Sequence, residues 1–228
     1  MAVQPDIDDA TLPDPLRPNW LWLTIRFFLT PFFKVWLRYE VRGLEKIPAS
    51  GGALLLLNHQ SHLDPLLVQS GMSRPVSWLA RDSLFHIPVI GWILKGTYVL
   101  PIDRESAGAS SIRKAVQYMQ FGFMLGMFPE GTRTRDGSVG EFKPGFVALI
   151  RRGNVPVYPV GVAGSFDAFP RNAWFIRPKR VRIVFSDPLT SEEIERLSKR
   201  DQQNELIALV KERITACQQE AEAWRQGE

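Results

Sequence analysis

Residues 54 to 64 read LLLLNHQSHLD, an apolar run that breaks at once into Asn58, His59, Ser61, His62 and Asp64. His59 and Asp64 are separated by four residues, a spacing that a turn can fold back on itself. Histidine acts as a general base near neutral pH when a carboxylate holds its other ring nitrogen and fixes the tautomer. The expected chemistry is proton abstraction from a hydroxyl or a water by His59, with Asp64 as its orienting partner. Pro65 suits the first turn of a helix and Asp64 its N-cap. Asp64 as a plain cap and His59 as a hydrogen-bonded surface residue are the bland alternatives. Free amides at that helix start are also available to a developing oxyanion.

A second set of groups suits a phosphate. FPEGTRTRDG (128–137) places Gly131, Thr132 and Arg133 in a turn, PIDRE (101–105) places Arg104 beyond a strand, and FKPG (142–145) places Lys143 before a helix. Each cation lies at the end of an element, and a helix start also favours an anion. Any one of them alone reads as a solvated surface charge; the repeated location argues for convergence on one phosphate. Glu130 would repel that ligand, so it is read as orienting Arg133, accepting a bond from a substrate hydroxyl, or making a structural salt bridge. A metal site at His59, His62 and Asp64 lacks an evident fourth ligand. Ser61 beside a histidine admits a serine nucleophile, with a local hydrogen-bonding residue as the alternative.

These groups need a scaffold. ALLLL (53–57), VSWLA (76–80), YVLPI (98–102), FMLGMF (123–128), VPVYPVGV (155–162) and VRIVF (181–185) have the character of buried strands. Helical stretches at 65–72, 84–95, 106–120 and 143–152 alternate with them. The pattern predicts an α/β fold: a largely parallel or mixed sheet with helices on both faces, and reactive groups where strands end. Thr190 to Glu193 forms a capping box, and Leu206, Val210, Ile214, Cys217, Ala221 and Trp224 make a docking stripe at helical spacing.

The chain has 228 residues, 45% of them hydrophobic, enough for one ordinary core. Its single cysteine, Cys217, excludes an internal disulfide and agrees with a reducing compartment. Residues 1–16 hold Asp6, Asp8, Asp9 and Asp14 and no Lys or Arg, and read as a disordered acidic tail with no secretory signal. The remaining body carries 28 basic residues against 20 acidic ones, which points to anionic partners. Residues 17–40 hold Trp20, Trp22, Phe27, Phe28, Phe32, Phe33 and Trp36, with Arg26, Thr30, Lys34 and Arg38 at fourfold spacing. Arg26 and Lys34 argue against a membrane span, and Pro31 should kink or split the helix. A basic stripe opposite an aromatic face predicts a helix lying in the membrane interface, contacting it through those seven aromatic residues with Arg26 and Lys34. Packing on the domain core is the alternative. Residues 41–228 then form the main domain.

With these motifs in order, the chain resembles the glycerolipid acyltransferases. NHQSHLD, VLPIDR, FPEGTR and VPVYPVGV match that family's four motifs across residues 52–165. The resemblance is greatest to the 1-acylglycerol-3-phosphate acyltransferases, which make phosphatidic acid. It implies that His59 is the base, Asp64 its partner, and Arg104, Glu130, Gly131 and Arg133 the groups that bind glycerol phosphate, with Lys143 at a commonly basic position. It also implies lysophosphatidic acid as acceptor, an acyl-coenzyme A or acyl carrier protein donor, no cofactor, and a place on the cytoplasmic face of a membrane. The departure is His62, at a position that is variable and often aromatic in the family. A thioester hydrolase, an acyltransferase for another glycerolipid and a lipid-binding scaffold are the rivals. Nucleic-acid binding explains the positive charge but not the aromatic helix.

Overall fold

The computed structural model describes residues 14–102 and 109–227. In chain order its helices and strands are α1 (Trp20–Trp36), β1 (Glu40–Arg42), β2 (Ala53–Leu57), α2 (Asp64–Gly71), β3 (Val76–Arg81), α3 (Pro88–Gly96), β4 (Leu100–Ile102), α4 (Ala109–Gln120) and β5 (Met124–Met127). There follow α5 (Gly145–Gly153), β6 (Val157–Ala163), α6 (Ser165–Ala168), β7 (Arg182–Phe185), α7 (Ser191–Leu197) and α8 (Gln203–Gln226).

The strands form one sheet in the order β1-β7-β6-β2-β5-β3-β4, parallel throughout except for the β6–β7 pair. The central strand β2 is buried along its whole length. Its side chains alternate between layers, Leu54 and Leu56 joining one core and Ala53, Leu55 and Leu57 the other. The first core receives Ala115 and Met119 of α4, Phe146 and Leu149 of α5, and Leu206, Val210 and Ile214 of α8. The second receives Leu67 and Val68 of α2 and Phe33 from α1. A continuously apolar strand is therefore the signature of a sheet covered twice.

The capping box at Thr190 forms as expected, with Thr190 Oγ1 accepting from Glu193 N and Glu193 accepting from Thr190 N. The docking stripe of α8 is buried except for the half-exposed Trp224. It lies so close to β6 that a Cβ on Gly161 would sit 2.2 Å from the backbone carbon of Cys217. Gly161→Ala is accordingly expected to destabilise the fold by about 3 kcal/mol, the upper end for overpacking, because a helix backbone must move. A urea midpoint that falls with an unchanged slope would show it.

Three expectations are corrected and one strand is added. The stretch 84–95 is not one helix but a 3₁₀ turn over Asp82–His86 followed by α3, because Pro88 holds Ile87 extended. Strand β1 escaped notice because three residues, Glu-Val-Arg, carry no period. Helix α1 is not split at Pro31. Proline forfeits its own N–H bond and crowds the carbonyl of the preceding turn, a cost opposed by the buried Trp22 and Phe33, which pin the helix on either side. Finally, Trp22 and Phe33 do not face outward: they are 2% and 1% exposed and belong to the core. Arg26 turns inward over the Trp22 ring, and Thr30 Oγ1 approaches the Ser70 carbonyl at 3.5 Å. What α1 presents to the outside is Trp20, Leu23, Thr24, Phe27, Phe28, Pro31, Phe32, Lys34, Val35 and Trp36. Among the described residues no helix is long and apolar enough to cross a membrane.

Candidate active site

Parallel strands bring their carboxyl ends to one edge of the sheet, and the site lies there. His59 follows β2, and the Phe128–Arg133 turn follows its neighbour β5. Each holds the other in place. His59 N donates to Glu130 Oε1 at 2.8 Å, and Thr134 N donates to the His59 carbonyl at 2.8 Å. The imidazole stacks on Phe128 at 3.8 Å between centroids, and Phe128 stacks on Trp78.

Asp64 is completely buried, and its oxygens are fully engaged. Oδ2 lies 2.8 Å from His59 Nδ1 and accepts from Gln60 N at 2.8 Å and Ser61 N at 2.7 Å. Oδ1 accepts from Ser165 Oγ at 2.6 Å. The carboxylate thus caps the turn that precedes it, and the N-cap position belongs to Leu63. Nδ1 is committed to Asp64, which leaves Nε2 as the nitrogen open to a substrate. Ser61 is buried and donates to the Phe169 carbonyl at 2.7 Å, a local structural bond.

Glu130 departs from expectation. It is 4% exposed, and its second oxygen accepts from Gly140 N at 3.1 Å. Burial pushes its carboxyl above the ordinary range while the two amide bonds pull the other way. It therefore clamps the His59 backbone to the turn, and among the described residues it makes no ion pair with Arg133. Nothing in a lone Glu beside a phosphate motif distinguishes these roles before the fold is known.

Gly131 has φ +65, a conformation that favours glycine, and the ammonium of Lys143 lies 3.3 Å from where its Cβ would be. Lys143 is therefore gathered at the turn. Thr132 is exposed and Arg133 half-buried, with Nη1 buried and without a hydrogen-bond partner among the described residues. Arg104 lies outside the described residues. His62 is exposed; burial first, then the Arg133 guanidinium, lower its pKa. Among the described residues no cluster of three or more His, Cys, Asp or Glu is arranged to hold a metal ion.

From His59 an apolar cavity of about 560 Å³ runs beneath α1 and α3. Ile25 and Leu29, with Leu84, Ile93 and Leu94, line its far walls, and His59, Phe128 and Gly131 its near end. Gly126 makes room for the Trp78 ring that floors it, since a Cβ there would lie 2.6 Å from that ring. Together these features define an α/β domain whose histidine–carboxylate pair joins a lipid-sized apolar cavity to a cationic turn.

Comparison with known proteins places the domain. A family model described as acyltransferase matches residues 38–163. A 1-acyl-sn-glycerol-3-phosphate acyltransferase of Pseudomonas aeruginosa is 30% identical over 75% of this chain and 76% of its own length. The chloroplastic enzyme BAT2 of the same name from Brassica napus is 29% identical over 74% of this chain. The chain spans about half the length of that relative, 48%. The crystal structure of the 1-acyl-sn-glycerophosphate acyltransferase PlsC from Thermotoga maritima superposes with a TM-score of 0.74 and 25% identity, over 89% of this chain and 80% of that one. The chain belongs to the acyltransferase family.

Proposed function

We propose that this protein transfers a fatty acyl group from a thioester, acyl-coenzyme A or acyl carrier protein, to the sn-2 hydroxyl of 1-acylglycerol 3-phosphate, giving phosphatidic acid. The names of its relatives support the acceptor. The observation that carries the reading is the position of His59, with Nδ1 bound to Asp64 at the junction of the apolar cavity and the Arg133 turn. The acyl chain occupies the cavity, and the acceptor's phosphate meets Arg133, Arg104 and Lys143. His59 Nε2 takes the hydroxyl proton as that oxygen attacks the thioester carbonyl. The carbon–sulfur bond breaks, and the imidazolium returns the proton to the departing thiolate. Asp64 stabilises the imidazolium between the two transfers. General-base help contributes roughly 10²–10⁴-fold, and holding two substrates together contributes more. On this reading the step requires no metal ion and no cofactor beyond the thioester donor.

Thiol release with and without lysophosphatidic acid tests it. Release that depends on the acceptor supports transfer; equal release without it makes the protein a thioester hydrolase.

The same reading lays the protein on the cytoplasmic surface of a membrane. Trp20 of α1 contacts Trp92 of α3, with ring centroids 6.0 Å apart. At the other end Trp36 Nε1 donates to the Ile176 carbonyl at 2.8 Å, bringing up Phe175 and Trp174, the latter 98% exposed. These exposed apolar side chains lie along α1 and at both of its ends, a feature that marks interaction surfaces, and the exposed Lys34, Arg177, Lys179 and Arg180 accompany one end. Replacing Phe27 and Phe28, 72% and 67% exposed, with serine is expected to weaken sedimentation with anionic vesicles by roughly tenfold or more. Unchanged sedimentation would remove α1 from the interface. Deleting residues 1–40 is the poorer test, because it also strips Trp22, Phe33 and Leu37 from the core.

A further inference from the structure

Arg171 stands, in sequence, at the head of a basic cluster that continues through Arg177, Lys179 and Arg180. The fold separates it from the others. The segment after α6 returns past the β5 turn, and Arg171 Nη2 donates to Thr132 Oγ1 at 3.1 Å. Thr132 adjoins Arg133, whose Nη1 is buried without a hydrogen-bond partner among the described residues. The two guanidiniums are near enough to repel: after burial, Arg171 is the next cause of the lowered pKa of Arg133, and both arginines also lower that of His62.

Among the described residues neither arginine takes part in an ion pair. The carboxylates in and beside the turn are engaged elsewhere, Asp64 by His59 and three hydroxyl or amide donors, Glu130 by two amides, and Asp136 by Thr134 and Ser138. Two cations held side by side with no anion between them are electrostatically costly. A dianionic phosphate with several acceptor oxygens relieves that cost, since planar guanidiniums bind it in a fork.

We propose that Arg171 is the second guanidinium of the acceptor's phosphate site, facing Arg133 across Thr132 and selecting phosphomonoester acceptors over uncharged ones. The proposal rests on the acyl-transfer reading above. It assigns Arg171 to the substrate and leaves Arg177, Lys179 and Arg180 to the membrane.

The test uses the full chain in an excess of neutral detergent micelles, where the acceptor's own phosphate is the sole lipid anion. Steady-state kinetics are compared for 1-acylglycerol 3-phosphate and for the matched 1-acylglycerol without phosphate. Arg171→Gln is expected to raise the KM for the phosphate-bearing acceptor by roughly ten- to a hundredfold, the range for a charge-assisted bond, with kcat and the KM for the thioester little changed. The KM for the uncharged acceptor should stay the same. Arg171→Lys, which keeps the charge but loses the fork, should fall between. Arg196→Gln, on the exposed side of α7, should leave all of these constants unchanged. Equal losses on the two acceptors, or an Arg196→Gln effect as large as that of Arg171→Gln, would overturn the assignment. If the unsubstituted protein does not acylate the phosphate-bearing acceptor at all, the acyl-transfer reading fails, and this one with it.

Discussion

His59→Ala is expected to reduce turnover by at least roughly 10²–10⁴-fold, the usual contribution of a general base, and to leave the fold intact. Alanine removes the one nitrogen in the site that is both oriented and open to the acceptor. It leaves in place the two backbone bonds that define the loop, His59 N to Glu130 and Thr134 N to the His59 carbonyl. The lost stacking on Phe128 affects a side chain that Trp78 still supports from its other face. KM values should change little, because neither the cationic turn nor the apolar cavity depends on the imidazole for its shape. A purified His59→Ala protein with near-normal kcat would mean that some other group takes the proton.

Asp64→Asn should be almost as damaging to kcat, and for a separable reason. Asparagine can keep its oxygen where Oδ2 accepts from His59 Nδ1, Gln60 N and Ser61 N, and can turn its amide nitrogen toward Ser165 Oγ. The geometry survives, but the negative charge that stabilises the imidazolium is gone, and a loss of roughly 10²–10⁴-fold in kcat is expected. Asp64→Ala is a different experiment. It leaves the amides of two buried residues without an acceptor, at about 1–3 kcal/mol each, so its loss of activity would be confounded with unfolding. If Asp64→Asn retained full kcat while Asp64→Ala unfolded, the carboxylate would be structural and His59 would act without it.

Much of the scaffold can be read from residue order because its signals are local. Four consecutive leucines bounded by a polar break specify a strand buried on both faces, and Thr190 with Glu193 specifies a helix start. The His59–Asp64 pair is readable for the same reason, since both partners lie in one turn. What sequence does not show are relations set by packing between distant segments. The inner and outer faces of α1 look alike in composition, because Trp22 and Phe33 face the core while Trp20, Phe27 and Phe28 face out. Only the docking of α1 on the domain separates them. Glu130 supports His59 across 71 positions, and Arg171 reaches Thr132 across 39. A signal for Arg171 was present in its place directly after the short helix that follows β6, at the same edge of the sheet as the turn, but its basic neighbours concealed it.

In the proposed reaction the donor's acyl chain ends on the sn-2 oxygen of an intact glycerol phosphate. It is tested most directly by mass spectrometry of the lipid formed from 1-acylglycerol 3-phosphate and an acyl thioester of distinguishable mass, followed by positional cleavage with an sn-2-specific lipase. The expected result is phosphatidic acid carrying the donor chain at sn-2, one molecule for each thiol released, and its loss in His59→Ala. Recovery of the donor chain as free fatty acid, with the acceptor unchanged, would contradict the account.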